Sequence, residues 1–183
     1  MTPAGLMRFI NFWPPLFFAG IHVVSFDPDM RNVEVGLRLT WWNHNRAGTQ
    51  FGGNIYSMTD PFYPLMLMAH LGPDYAVWDE SAQIAFIKPG TTKLRAKFSL
   101  SERQVSDIRS NTTGDRKYLA KFLVQITDVN GVVVATVNKV IYIRPKQRNP
   151  APMPQGAGTN LAMSAFRAET AEPLAHPTRA YLT

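Results

Sequence analysis

The sequence contains no cysteine. Disulfides, a thiol nucleophile and thiolate metal sites are therefore excluded, and the absence fits a reducing compartment, so that a cytoplasmic location is expected. Carboxylates are scarce beside cations, 13 Asp and Glu against 19 Lys and Arg, which leaves a net charge of +6. That balance favours anionic partners: nucleic acid, an acidic membrane surface, or a small polyanion such as coenzyme A. Nucleic acid is not the expected partner, because no run of five Lys or Arg and no recognisable nucleic-acid motif occurs. The four histidines, His22, His44, His70 and His176, are scattered without an i, i+4 pair or a carboxylate at ligand spacing, so no metal site is expected.

A long unbroken apolar run is missing as well. Residues 9–24 are apolar, but Pro14-Pro15 splits them and Asn11 and His22 interrupt them. A spanning helix wants about 20 apolar residues without such a break. Nor does the stretch have the basic start and small-residue cleavage site of a signal peptide. It reads as a short amphipathic helix packed on a soluble domain.

What is present reads as mixed helix and strand. Residues 21–26 form a strand stopped by Asp27-Pro28-Asp29, and residues 33–40 alternate, with Val33, Val35, Leu37 and Leu39 on one face. Residues 41–51 are irregular. Residues 53–70 read as the one long helix, with Ile55, Met58, Phe62, Leu65, Met66 and Met68 available for burial, ending at Gly72-Pro73. Pro61 and Pro64 leave open a kink, or two helices meeting at Asp60. Strands follow at 75–88, 91–100, 117–129 and 132–143, the last two joined through Asn130-Gly131. Residues 101–114 read as a polar excursion with room for a helical turn. From 145 prolines and glycines crowd together without apolar periodicity, so 1–144 is expected to be the domain and 145–183 a mobile tail. An antiparallel sheet wrapped round one long central helix, preceded by an N-terminal helix, is the α+β arrangement this order suggests.

One segment carries chemistry. Asn45-Arg-Ala-Gly48-Thr-Gln-Phe51-Gly52-Gly53 is followed by Asp60, seven positions after Gly53. This resembles the hotdog-fold thioesterases of the phenylacetate-pathway type, whose pattern is Asn-x-x-Gly-x-x-His-Gly-Gly with an Asp at the same distance. Phe51-Gly-Gly, Met58-Thr-Asp-Pro, Leu71-Gly-Pro-Asp-Tyr and Trp78-Asp79 look nearest to an uncharacterised thioesterase-like branch of that superfamily. The resemblance implies hydrolysis of an acyl-CoA-type thioester with no cofactor beyond the coenzyme A of the substrate. Gly52 would offer its backbone N–H to the thioester carbonyl. Asp60 would act as general base or nucleophile from the partner subunit of a homodimer or tetramer. Asn45 would orient water or substrate, Gly53 would let the acyl chain or pantetheine pass, and Thr49 and Phe51 would contact substrate.

Phe51 stands where the family has His, which removes an imidazole hydrogen bond and raises an alternative: a non-catalytic hotdog module that binds a fatty acyl group or acyl thioester. A third alternative is an interaction protein docking through its basic tail. Other readings also stay open. Asp60-Pro61 fits a helix cap, Gly52-Gly53 a tight loop, and Asn45 and Asn43 a turn. Lys93, Arg95 and Lys97 share one strand face, either as solvated surface or, with Lys88, as a cationic stripe for coenzyme A phosphates.

Overall fold

The computed structural model describes residues 3–146. Two short helices come first, α1 (Pro3–Ile10) and α2 (Pro14–Ala19), where one was expected. The cause is Pro14-Pro15: Trp13, before a proline, is held extended at φ −67° and ψ 119°, and the prolines open a new helix where no N–H is needed. Gly20 closes α2 in the left-handed region, at φ 83°.

Six strands make one antiparallel sheet: β1 (Ile21–Phe26), β2 (Asn32–Leu37), β3 (Tyr75–Phe86), β4 (Leu94–Ser99), β5 (Tyr118–Thr127) and β6 (Val133–Pro145), in the order β1-β2-β4-β5-β6-β3. Strand β2 stops at Leu37, short of the expected residue 40, because after Arg38 the chain turns out of the sheet: the Thr40 N–H donates to Asn43 Oδ1, and Arg38 O accepts from Asn43 Nδ2. The β5–β6 connection is built on Asp128, whose carboxylate accepts the N–H groups of Asn130 and Val132 while Gly131 adopts φ 78°.

The long helix is two helices, α3 (Gly52–Ser57) and α4 (Phe62–Leu71), separated by residues 58–61. Pro61 has no N–H to give and disfavours helical geometry at Asp60, so the ladder cannot run through. The break resets the helical phase. Tyr63 and Leu67 are buried together with Phe62 and Met66, whereas Met68, expected inside, is exposed. Tyr63 stacks on Phe122 at 4.0 Å, and Phe62 lies 5.1 Å from Phe98. Each of these aromatics contributes about 1.5–3 kcal/mol by leaving water.

Residues 101–114 hold a full helix, α5 (Glu102–Asn111), where only a turn was expected. Ser101 and Gln104 form a capping box, and Val105 and Ile108 face the core three residues apart. The expected tail from 145 lies outside the described residues, apart from Pro145, which closes β6, and Lys146, whose N–H donates to Asp74 O at 2.7 Å. No helix among the described residues is long and apolar enough to cross a membrane.

Candidate active site

The loop before α3 is held by three amides. Asn43 is buried; its Nδ2 donates to Ala19 O and Arg38 O, both at 2.8 Å, which ties the loop to the end of α2. Asn45 Oδ1 accepts the N–H groups of Ala47 and Thr49, and its Nδ2 donates to Thr49 Oγ1 at 2.8 Å. The turn reading of both asparagines is thus realised in hydrogen bonds. Gln50, which sequence reasoning passed over, is 3% exposed and donates to Thr92 O at 3.0 Å, while its Oε1 has no hydrogen-bond partner.

These bonds aim the chain into α3. Phe51 is extended at φ −68°, and its carbonyl accepts the N–H groups of both Asn54 and Ile55. The N–H groups of Gly52 and Gly53 have no acceptor among the described residues. They are the orphan donors of a helix start. Beside them opens a cleft of about 390 Å³, lined by Asn45, Thr49, Gln50, Gly52 and Ile55 on one side and residues 86–90 on the other. A Cβ on Gly52 would come within 3.2 Å of the Phe86 ring, so the glycine keeps the passage open. Lys88 also lines the cleft, its Nζ fixed by Asp128 at 2.7 Å. That bond, with two backbone N–H groups, holds the Asp128 carboxyl below the usual range.

Phe51 points elsewhere. Its ring lies over Gly53, where a Cβ would meet it at 2.5 Å, and it lines a second cleft of about 340 Å³ with Phe18, Trp42 and Asn54. The ring is 53% exposed.

Asp60 sits at the break between α3 and α4, eight residues after Gly52 in sequence. Its carboxylate is exposed and makes no hydrogen bond or ion pair among the described residues. It does not cap α4, whose N-cap is Pro61 with no side-chain bond. Its backbone is fixed from below by Lys139. This lysine, 1% exposed, occupies the core-facing row of β6 between Val137 and Ile141. Its Nζ donates to Thr59 O at 2.7 Å, to Asp60 O at 2.8 Å and to Asp79 Oδ2 at 3.0 Å. Burial pushes the ammonium pKa down, against the pull of Asp79. Burial likewise pushes the Asp79 carboxyl up, and the Asp60 charge adds to that rise. Tyr56 joins the group, its phenol raised by burial and then by Asp60 and Asp79. Lys139 stands in the sequence as a lone cation in an alternating apolar row, but its pairing with Asp79, rather than with the neighbouring Glu80, is visible only in the sheet register.

Asn45, Thr49 and Gly52 therefore share one cleft, Phe51 lines the second with its ring over Gly53, and Asp60 belongs to a separate group within a single chain. Lys93, Arg95 and Lys97 lie on the sheet's outer side. Arg95 is paired with Glu34 at 2.8 Å, and Lys97 stands opposite Glu34 in the register.

Solved structures of similar fold span nearly the whole domain. A Pseudomonas aeruginosa protein of unknown function is 17% identical, with a TM-score of 0.65, covering 78% of this chain and 96% of its own. A Haemophilus influenzae thioesterase is 11% identical, with a TM-score of 0.59, covering 81% and 94%. The PaaI protein from the phenylacetic acid degradation operon of Escherichia coli is 16% identical, with a TM-score of 0.53, covering 78% and 93%. At these identities the likeness establishes the fold alone, the hotdog fold. No curated protein matches the sequence. A family model described as a domain of unknown function, DUF4442, matches residues 5–143.

Proposed function

The chain belongs to the DUF4442 family, and we propose that it hydrolyses an acyl-CoA-type thioester as a homodimer, each site joining Gly52 of one subunit to Asp60 of the other. The supporting observation is the pair of unaccepted N–H groups at Gly52 and Gly53 beside the 390 Å³ cleft. Donors fixed before the reaction, and aimed where charge develops, stabilise an oxyanion without reorganisation. The thioester carbonyl oxygen accepts from Gly52. Asp60 takes a proton from water as that water attacks the carbonyl and passes it to the departing coenzyme A thiolate, or it attacks directly, expels the thiolate, and water then cleaves the acyl–aspartyl anhydride and supplies the thiolate's proton. Thr49 and Gly53 line the substrate path, and Asn45 keeps the loop in shape while facing the cleft. Lys88, rather than the outer stripe of Lys93, Arg95 and Lys97, offers the cation nearest the cleft for coenzyme A phosphates.

Two features support the dimer. Asp60 lies beyond the end of α3 and does not line the cleft beside Gly52, so a carboxylate there would come from a second subunit. Strand β3, twelve residues long, is an edge with Trp78 and Phe86 exposed, and such an edge is stabilised by pairing. The absence of cysteine supports a cytoplasmic location. Thioesterases among proteins of the same fold support the reaction class.

The exposed apolar ring of Phe51, where the phenylacetate-pathway type of thioesterase pattern has His, favours a second reading: a module that binds an acyl group without turning it over. Thiol release from a panel of short-, medium- and long-chain acyl-CoAs decides between them. Turnover by the wild type that falls at least about a hundredfold in Asp60→Asn supports hydrolysis. Tight acyl-CoA binding without turnover at any chain length decides for the binding module. Turnover indifferent to the substitution removes Asp60 from the mechanism.

A further inference from the structure

Helices α1 and α2 are apolar on both sides. Met7, Ile10 and Leu16 are buried in the core, yet Phe9, Phe12, Trp13, Phe17 and Phe18 face outward, Phe12 being 75% and Phe18 68% exposed. Trp41, 81% exposed, and Trp42 continue the same surface: the Trp42 indole N–H donates to Phe18 O at 3.2 Å, and the two indoles meet edge to face. Phe17 and Phe18 contact one another in the same way. Seven half-exposed aromatics expose on the order of 700 Å², above the few hundred Å² usual for the largest apolar patch of a soluble monomer. The two segments that build it carry charge of one sign only. Residues 1–26 and 35–59 contain no Asp or Glu, and Arg8, Arg38 and Arg46 are exposed within them. Arg38 follows directly on this surface, its N–H bonded to Gly20 O at the end of α2.

We propose that this aromatic and cationic surface docks the protein peripherally on an anionic phospholipid bilayer. Phe and Trp rings beside arginines, with no carboxylate among them, match the boundary between acyl chains and anionic headgroups. A second copy of the chain offers no such complement, since it brings the same three arginines to a two-fold contact. The helices are too short to span, so docking is in the plane of the surface. The second cleft, lined by Phe18 and Trp42, opens from this surface beside Phe51. Docking does not depend on thioester turnover.

The test is sedimentation of the full-length protein with vesicles of phosphatidylcholine alone and of phosphatidylcholine with phosphatidylglycerol. Binding to the anionic vesicles is expected to be at least about tenfold stronger, to fall in high salt, and to weaken roughly fivefold for each of Arg8, Arg38 and Arg46 changed to Gln. Tryptophan emission shifts to the blue on binding. The double variant Phe12→Ser/Phe17→Ser loses at least about tenfold in vesicle binding with its melting temperature and solution mass unchanged. Absence of sedimentation with either vesicle, or equal binding to both, would overturn the proposal. So would a double variant that binds vesicles like the wild type, or one that alters the solution mass instead, which would assign the surface to self-association.

Discussion

His22 lies across Gly36, where an added Cβ would come within 2.7 Å of the imidazole, so a side chain at residue 36 would force the ring to move. Burial is the main cause of the lowered His22 pKa, with the Arg38 guanidinium next and Arg95 and Lys93 adding less. A base whose folded pKa is depressed binds its proton more readily in the unfolded chain. Its contribution to stability is present above the unfolded value of about 6.5 and is lost as pH falls through it. The urea midpoint is therefore expected to drop between pH 7.5 and pH 5, and to drop less in His22→Gln. Equal slopes for the two proteins would contradict this. Asp60 shows the other side of residue-scale reading. Its motif spacing was plain in the sequence, but the same Asp60-Pro61 also fitted a cap. Only the backbone, with Pro61 at the N-cap position and the carboxylate unbonded, separates the two.

Among the elements, the divided central helix is the feature that most shapes the site. The two prolines announced a break, yet not what would fill it. The carbonyls of Thr59 and Asp60, left without helical donors, are taken by Lys139 from the sheet beneath, 79 and 80 residues away in sequence. Such a long-range partner leaves no local signal. The same limit hid α5 less completely, since its capping box was written in Ser101 and Gln104 and was read only as polar sequence. The strands, by contrast, were legible to within three residues at either end, since strand patterning is a local property. Lys139→Met strands the Asp79 carboxylate and both carbonyls in a largely buried place. We expect a loss of about 3–5 kcal/mol in urea unfolding at neutral pH, with much of it recovered in Lys139→Met/Asp79→Leu, where no charge is left unpaired. A single variant as stable as the wild type would show that the lysine does not secure the break.

For the whole molecule, the account turns on two subunits sharing each site. Light scattering is expected to give twice the mass of one chain or a multiple of that. Assembly alone is a weak test, because an open edge strand pairs whether or not a site forms across it. Complementation is a stronger one. Asp60→Asn and Gly52→Val remove different halves of the proposed site, the second by filling the passage beside Phe86. The most direct measurement is thiol release after the two variants are unfolded together in equal amounts and refolded. Half of the resulting dimers pair unlike subunits, and each of those holds one intact site out of two, so activity should return to about a quarter of the wild-type level. If Gly52 and Asp60 served the same subunit, no mixed dimer would hold an intact site. The mixture would then stay as inactive as its components, and the shared-site account would be wrong.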